Sequence, residues 1–340
     1  MKTFSLLVLL LLAAACELQA KDGVRLQGMS SLGRKYKNDF SQSAENFKSR
    51  VMRDSEDVPA LIGLAEANIM LHIFGFSSRE ETLPAARAAY EKAHSLDGEN
   101  SRVRALAGKL SLLDWKWDEA KSSFRKAVAI DPRNLDARHW YALWFAAMQL
   151  PRQAMDQSDA IMKLDSAGDY LVGRGSLYYF ERRFDCLKEL MLKSIKLHPS
   201  APWAYDWLGM AYNGLKDHQN AMATYQKAFD LSDGTVEVAA GLGHALGLAG
   251  HLEAARIMAK FYAKKSQETY IPPVQRAFIH LGIHEYDQAI ELLEQAYAEK
   301  SWFIIFIQIE PWYDPIRQDP RFIEIMKKMG FPDPDTAADL

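Results

Sequence analysis

Pro202 to Gly234 reads PWAYDWLGMAYNGLKDHQNAMATYQKAFDLSDG. In it Tyr205, Leu208, Gly209 and Tyr212 mark one helix, Ala221, Tyr225 and Ala228 mark a second, and Gly214 falls near the turn between them. Its alanines keep time with the rest of the chain. Ala86, Ala120, Ala154, Leu187, Ala221, Ala255 and Ala289 recur 34 residues apart, with a single step of 33 before Leu187. A second series follows seven residues behind, through Ala93, Ala127, Ile161, Ser194, Ala228, Tyr262 and Ala296. Positions seven apart share one helical face, so these residues define a contact stripe that allows close helix packing in every repeat.

A 34-residue period of two helices resembles the tetratricopeptide repeat. The copy ending at Asn134 keeps Gly108, Ala120, Phe124, Ala127 and Pro132; the copy ending at Pro199 keeps Gly175, Tyr178 and Phe184; the copy from Val236 keeps Leu242, Gly243, Gly250 and Ala255. Leu187, Ser194 and Tyr262 depart from the family's preference for alanine at their slots. The resemblance implies an all-α fold: a right-handed α-solenoid of about seven helix-turn-helix pairs with C-terminal capping helices. Small residues let paired helices approach while Tyr, Phe and Trp fill the gaps between pairs. Gly250 suits a tight turn that needs a left-handed residue, and Asp131-Pro132 and His198-Pro199 end one repeat and open the next.

Four further stretches, Asp114–Ala120, Asp136–Ala142, Tyr270–Pro273 and Trp312–Phe322, are similar to the repeat regions of bacterial adenylate cyclases, winged-helix regulators and serine/threonine kinases. That similarity runs from about Leu26 to Pro332, without a cyclase, kinase or DNA-binding segment beside it.

The N-terminus reads as a targeting segment. Lys2 precedes an apolar run from Phe4 to Ala15, too short to span a bilayer, and Leu12-Ala13-Ala14-Ala15-Cys16 resembles a bacterial lipobox. The expected outcome is export, with Cys16 lipidated and residues 1–16 removed; simple cleavage after Ala20 is the alternative. Residues 17–29 then form a tether, 30–300 the solenoid with a degenerate first pair at 30–54, 301–330 the capping helices and 331–340 a flexible tail. An insertion, Phe74 to Glu81, interrupts the turn of the second pair, since counting 34 back from Ala86 reaches the ill-fitting Met52. Trp302–Ile309 and Pro320–Met329 read as the two capping helices.

Only two cysteines are present, so once Cys16 is acylated or removed no internal disulfide can form, and Cys186 reads as a half-buried helix residue. Net charge is −3, and no basic tract carries interleaved aromatics, which argues against nucleic acid as a partner. Membrane contact is expected only through the N-terminal anchor.

Chemistry is sparse: there is no Gly-rich phosphate loop with lysine, His-Glu-x-x-His, Cys-x-x-Cys or Gly-x-Ser-x-Gly motif. His280 and His284, four apart, lack a third metal ligand, and Asp114, Asp118 and Glu119 suit a helix opening better than acid/base work. No catalytic residue, metal or cofactor is assigned.

The resemblance places a partner groove along the first helices, at Arg102, Lys109, His139, Tyr179, Trp203, Asp206, Asn213, His244 and Phe278. This aromatic and polar mixture suits an extended peptide, although Trp203 or Phe278 would serve equally to fill a gap between repeats. Clamping of a chaperone's C-terminal carboxylate is disfavoured, because the corresponding places hold Ala105, His139, Val172, Asp206 and Ala240 rather than Lys and Asn. The reading is a non-enzymatic envelope scaffold for a protein or peptide; the alternative is an envelope sensor that binds a small ligand and relays its state to a partner.

Overall fold

The computed structural model describes residues 34–334 and residue 337, so Cys16, the cleavage sites and the tether lie outside the described residues. Among the described residues there are sixteen α-helices, two short 3-10 helices and no strand. After α1 (Arg34–Arg53) come seven helix pairs: α2 (Val58–Ile73) with α3 (Arg79–Leu96), α4 (Ser101–Leu113) with α5 (Trp117–Ile130), α6 (Leu135–Ala147) with α7 (Pro151–Met162), α8 (Leu171–Phe180) with α9 (Phe184–Leu197), α10 (Pro202–Gly214) with α11 (His218–Leu231), α12 (Val236–Leu248) with α13 (Leu252–Lys265), and α14 (Pro273–Gly282) with α15 (Tyr286–Ala298). The 3-10 helices Trp302–Phe306 and Pro311–Ile316 precede α16 (Pro320–Lys328). The helices form two units, residues 37–181 with 296 onward, and residues 182–295 with the first residues of α1.

Every slot of both 34-residue series lies on a second helix and is no more than 2% exposed, including the departures Leu187, Ser194 and Tyr262. Between the two series, Phe124 and Tyr225 fit because first helices carry glycine opposite them: a Cβ on Gly209 or Gly241 would stand 2.7 and 2.3 Å from the Tyr225 ring, and one on Gly108 would stand 2.5 Å from Phe124. Ala127 packs with Ala105 and Ala137 in one buried cluster.

The turns within pairs show a third 34-residue series. Trp115, Gln149, Arg182, Lys216, Gly250 and His284 all adopt positive φ, between 58° and 89°. The amide after the left-handed residue closes the first helix by reaching back five residues, as in Asp217 N–H to Tyr212 C=O at 2.9 Å and His251 N–H to Leu246 C=O at 2.9 Å. Glycine is therefore the exception at this position, and Gly214 is the last helical residue of α10 rather than the turn residue.

Three sequence expectations need correction. The degenerate first pair at 30–54 is a single helix from Arg34 onward, because no turn residue interrupts it. The insertion is a five-residue turn, 74–78, whose Phe74 and Phe76 pack on Phe40 of α1 at 5.4 and 6.1 Å, while Ser78 and Glu81 form a capping box on α3. Trp302–Ile309 is no capping α-helix: a 3-10 turn covers Trp302–Phe306, and Pro311 and Pro315 keep the chain in short turns.

This C-terminal segment packs on the 37–181 unit, against the first helices α6 and α8 and the second helix α5. Trp302 meets Trp140 at 5.2 Å, Phe306 stacks on Phe180 at 4.8 Å, and the Trp117 indole donates to the Met329 carbonyl at 3.2 Å. Phe331, expected in the loose tail, stacks on Trp117 at 4.8 Å, and the Lys121 ammonium donates to the Ala337 carbonyl. Arg317 holds the bend by donating to the carbonyls of Gln308 and Glu310 at 2.8 and 2.6 Å.

Candidate functional site

Four of the predicted groove residues belong to the 37–181 unit, and the structure joins two of them in an ion network. Lys109 is 1% exposed, with its ammonium 2.8 Å from Asp136, 3.7 Å from Glu66 and 5.2 Å from the centre of the Trp140 ring. Arg102, which is exposed, donates to the other Glu66 oxygen at 3.1 Å. Two cations thus meet two carboxylates, and their charge is balanced within the chain. His139 fills the space over Gly173, where a Cβ would stand 2.7 Å from its ring, and burial pulls its pKa down to about 4. Tyr179 is 1% exposed and donates its hydroxyl to Glu310, whose carboxyl is pushed up to about 7 by burial. The chain's own C-terminal segment therefore covers Tyr179, which departs from the groove-facing role expected of it.

The other five lie in the 182–295 unit. Trp203, Asp206 and Asn213 sit three and seven residues apart on one side of α10, with His244 on α12 and Phe278 on α14. Trp203 is half-buried, 6.0 Å from the Tyr36 ring. Asn213, His244 and Phe278 are 5%, 6% and 7% exposed. Burial carries the His244 pKa down to about 3, and the backbone of α12 at this residue lies against Gly282, whose Cβ would stand 2.5 Å away.

Asp206 is the anomaly. It is fully buried, neither carboxyl oxygen has a hydrogen-bond partner among the described residues, and burial pushes its pKa up to about 7. Glu237, second residue of α12, also has a buried oxygen without a partner; burial and the charge of Asp206 both raise its pKa well above the usual range. Among the described residues no cation acts on either carboxyl. Buried polar groups left in this condition are rare in folded proteins and concentrate at functional sites.

Elsewhere, several titratable groups pair with one another, although both ring nitrogens of the buried His72 find no hydrogen-bond partner among the described residues. His280 lies 2.8 Å from Glu285, which also accepts from Arg256 at 3.3 Å, and His284 lies 2.8 Å from the Tyr286 hydroxyl. No group of three metal-ligating side chains occurs among the described residues. A cleft of 370 Å³ is lined by Arg87, Tyr90, Ser111, Asp114, Ser122 and Ser123 among others, and within it Asp114 is paired with Arg87 at 2.7 Å as well as with Arg79. Cys186 is half-buried at the opening of α9, 3.6 Å from an Arg183 nitrogen.

Sequence reasoning missed Glu66, Asp136, Glu237 and Glu310. Glu237 carried a legible signal, since it opens the first helix of the repeat after Asp206 and faces the same stack; Glu310 carried none, because its partner depends on where the C-terminal segment runs.

A family profile described as "Tetratricopeptide repeat" matches residues 204–234, the stretch that sets the period. Among solved structures, a chain of the APC/C hetero-tetramer Cut9–Hcn1 aligns with a TM-score of 0.59 at 17% identity, over 85% of this chain and 52% of that one. This protein thus spans about half the length of that relative. A tetratricopeptide repeat protein from Parabacteroides merdae aligns with a TM-score of 0.52 at 18% identity, over 76% of this chain and 99% of that one. No curated protein sequence matches. At these identities the likeness is one of fold. With the matched repeat flanked on both sides by further helix pairs of the same period, the chain is a tetratricopeptide-repeat protein.

Proposed function

We propose that this protein is a non-enzymatic scaffold of the bacterial cell envelope that holds a protein or peptide on the first helices of its 182–295 unit. Proteins of this fold act in general as protein-interaction scaffolds. The observation that carries the reading is Asp206, a fully buried carboxyl on a first helix without a hydrogen-bond partner among the described residues. On the 37–181 unit, by contrast, Lys109 and Tyr179 have their polar partners within the chain. Export with a lipid anchor on Cys16 belongs to the same proposal and rests on the lipobox-like Leu12–Cys16 stretch.

Crosslinking in envelope fractions, with the captured partner identified by mass spectrometry, tests it. Capture should fall at least tenfold for Trp203→Ala and for Asp206→Ala; unchanged capture by both variants rejects the site. Incorporation of radiolabelled fatty acid should disappear in Cys16→Ser, and soluble release of the unsubstituted protein would overturn the anchor.

A further inference from the structure

The Asp206 and Glu237 carboxyls belong to neighbouring first helices, α10 and α12, which pack on each other, and the charge of one acts on the other. Both Asp206 oxygens and Glu237 Oε2 are buried and accept no hydrogen bond. Two buried acids side by side repel unless something positive or protic lies between them. Another buried charge is handled differently: Lys109 has two carboxylates within 4 Å.

A separate group on the same face of α10 is also incomplete. Asn213, seven residues beyond Asp206, is 5% exposed, and its amide nitrogen finds no acceptor although its oxygen lies 3.3 Å from the His218 ring. A carboxyl pair lacks a cation, and an amide two turns along the helix lacks a carbonyl. A peptide supplies both together, the cation from a lysine or arginine side chain and the carbonyl from its backbone.

We infer that Asp206 and Glu237 form a recognition site for a cationic side chain of a bound peptide, with Asn213 holding the peptide backbone. This rests on the scaffold reading and names the chemistry of its ligand. Polyamines share the cationic group but carry no carbonyl, so they fit the acid pair and leave Asn213 unfilled.

The test is calorimetric titration of the purified protein with pentalysine, with the same peptide acetylated on every lysine side chain, and with spermidine. Pentalysine should bind at least tenfold more tightly than either of the other two. Asp206→Asn and Glu237→Gln should each weaken it at least tenfold, while Glu253→Gln, on the exposed face of α13, should leave it unchanged. Circular dichroism of Asp206→Asn should match the unsubstituted protein, which separates loss of the site from loss of fold. Equal binding of the acetylated peptide, equal binding of spermidine, or indifference to both substitutions overturns the inference. If partner capture is lost in Trp203→Ala yet intact in Asp206→Asn, the scaffold reading survives and the cation site fails.

Discussion

At the residue scale, the protein's unusual groups are those whose ionisation the fold opposes. Asp206 keeps its proton to about pH 7, whereas in the unfolded chain it releases it near 3.8. Between those values the native state binds more protons than the unfolded one, so the stability tied to this group is present below pH 4 and is lost as pH rises through 7. Asp206→Asn should therefore stabilise the protein at pH 8, by about 1–3 kcal/mol, and the gain should vanish near pH 4. Urea unfolding of both proteins at the two pH values measures it; a destabilised variant at pH 8 would mean that the carboxylate has a partner.

His244 runs the other way. Its folded pKa lies near 3 against an ordinary 6.5, so its contribution is present above 6.5 and is lost as pH falls. Between pH 7 and 5 the unsubstituted protein should lose about 2 kcal/mol through this group that His244→Asn does not lose. Equal acid sensitivity of the two proteins in urea unfolding would contradict the burial assigned to this ring.

At the element scale, the repeat is a tightly packed second helix behind a left-handed turn. Ala127 is wholly buried against Ala105 and Ala137, so Ala127→Leu should cost about 1–3 kcal/mol in chemical unfolding. Gly250 and Lys216 occupy equivalent turns at φ of 89° and 64°. Nothing lies within 4 Å of a Cβ at Gly250, so Gly250→Ala isolates the backbone penalty, about 1–2 kcal/mol. Lys216→Gly should be neutral or stabilising by up to about 1 kcal/mol. The same chemical unfolding checks both; a stabilised Gly250→Ala or a destabilised Lys216→Gly would mean that these turns obey different rules.

The second-helix slots were legible in sequence because burial there demands small side chains, and a size restriction repeated every 34 residues is visible without coordinates. The left-handed turn series escaped notice because five of its six members are not glycine; the hydrogen bond made by the next residue, rather than residue type, holds the conformation. Trp203, Asp206 and Asn213 could be placed on one helix face from their spacing. That Asp206 would lack a partner could not, since it depends on what neighbouring helices fail to supply.

At the scale of the whole molecule, the chain's last segment serves the 37–181 unit, from which it is far removed in sequence. Trp302, Phe306 and Glu310 recur four residues apart, and their contacts fall on first-helix residues Trp140, Phe180 and Tyr179. Such long-range closure is invisible to a periodic reading, which predicts an added layer at the end of the count. Removing residues 301–340 should expose those three first-helix residues. Hydrogen exchange in α6 and α8 should then accelerate at least tenfold, while α12 is unaffected; uniform acceleration would show that the segment supports more than its own unit.

If the first helices of the 182–295 unit hold the partner, site-directed photocrosslinking will find it there. A photoreactive residue in place of Met210, one turn from Asp206 on α10, should yield a specific adduct in envelope fractions, and that adduct should weaken at least tenfold when Asp206→Asn is added. The same probe in place of Lys227 on the second helix α11 should yield none. An adduct at 227 with none at 210 would place the partner on the opposite surface and rule out the first-helix site.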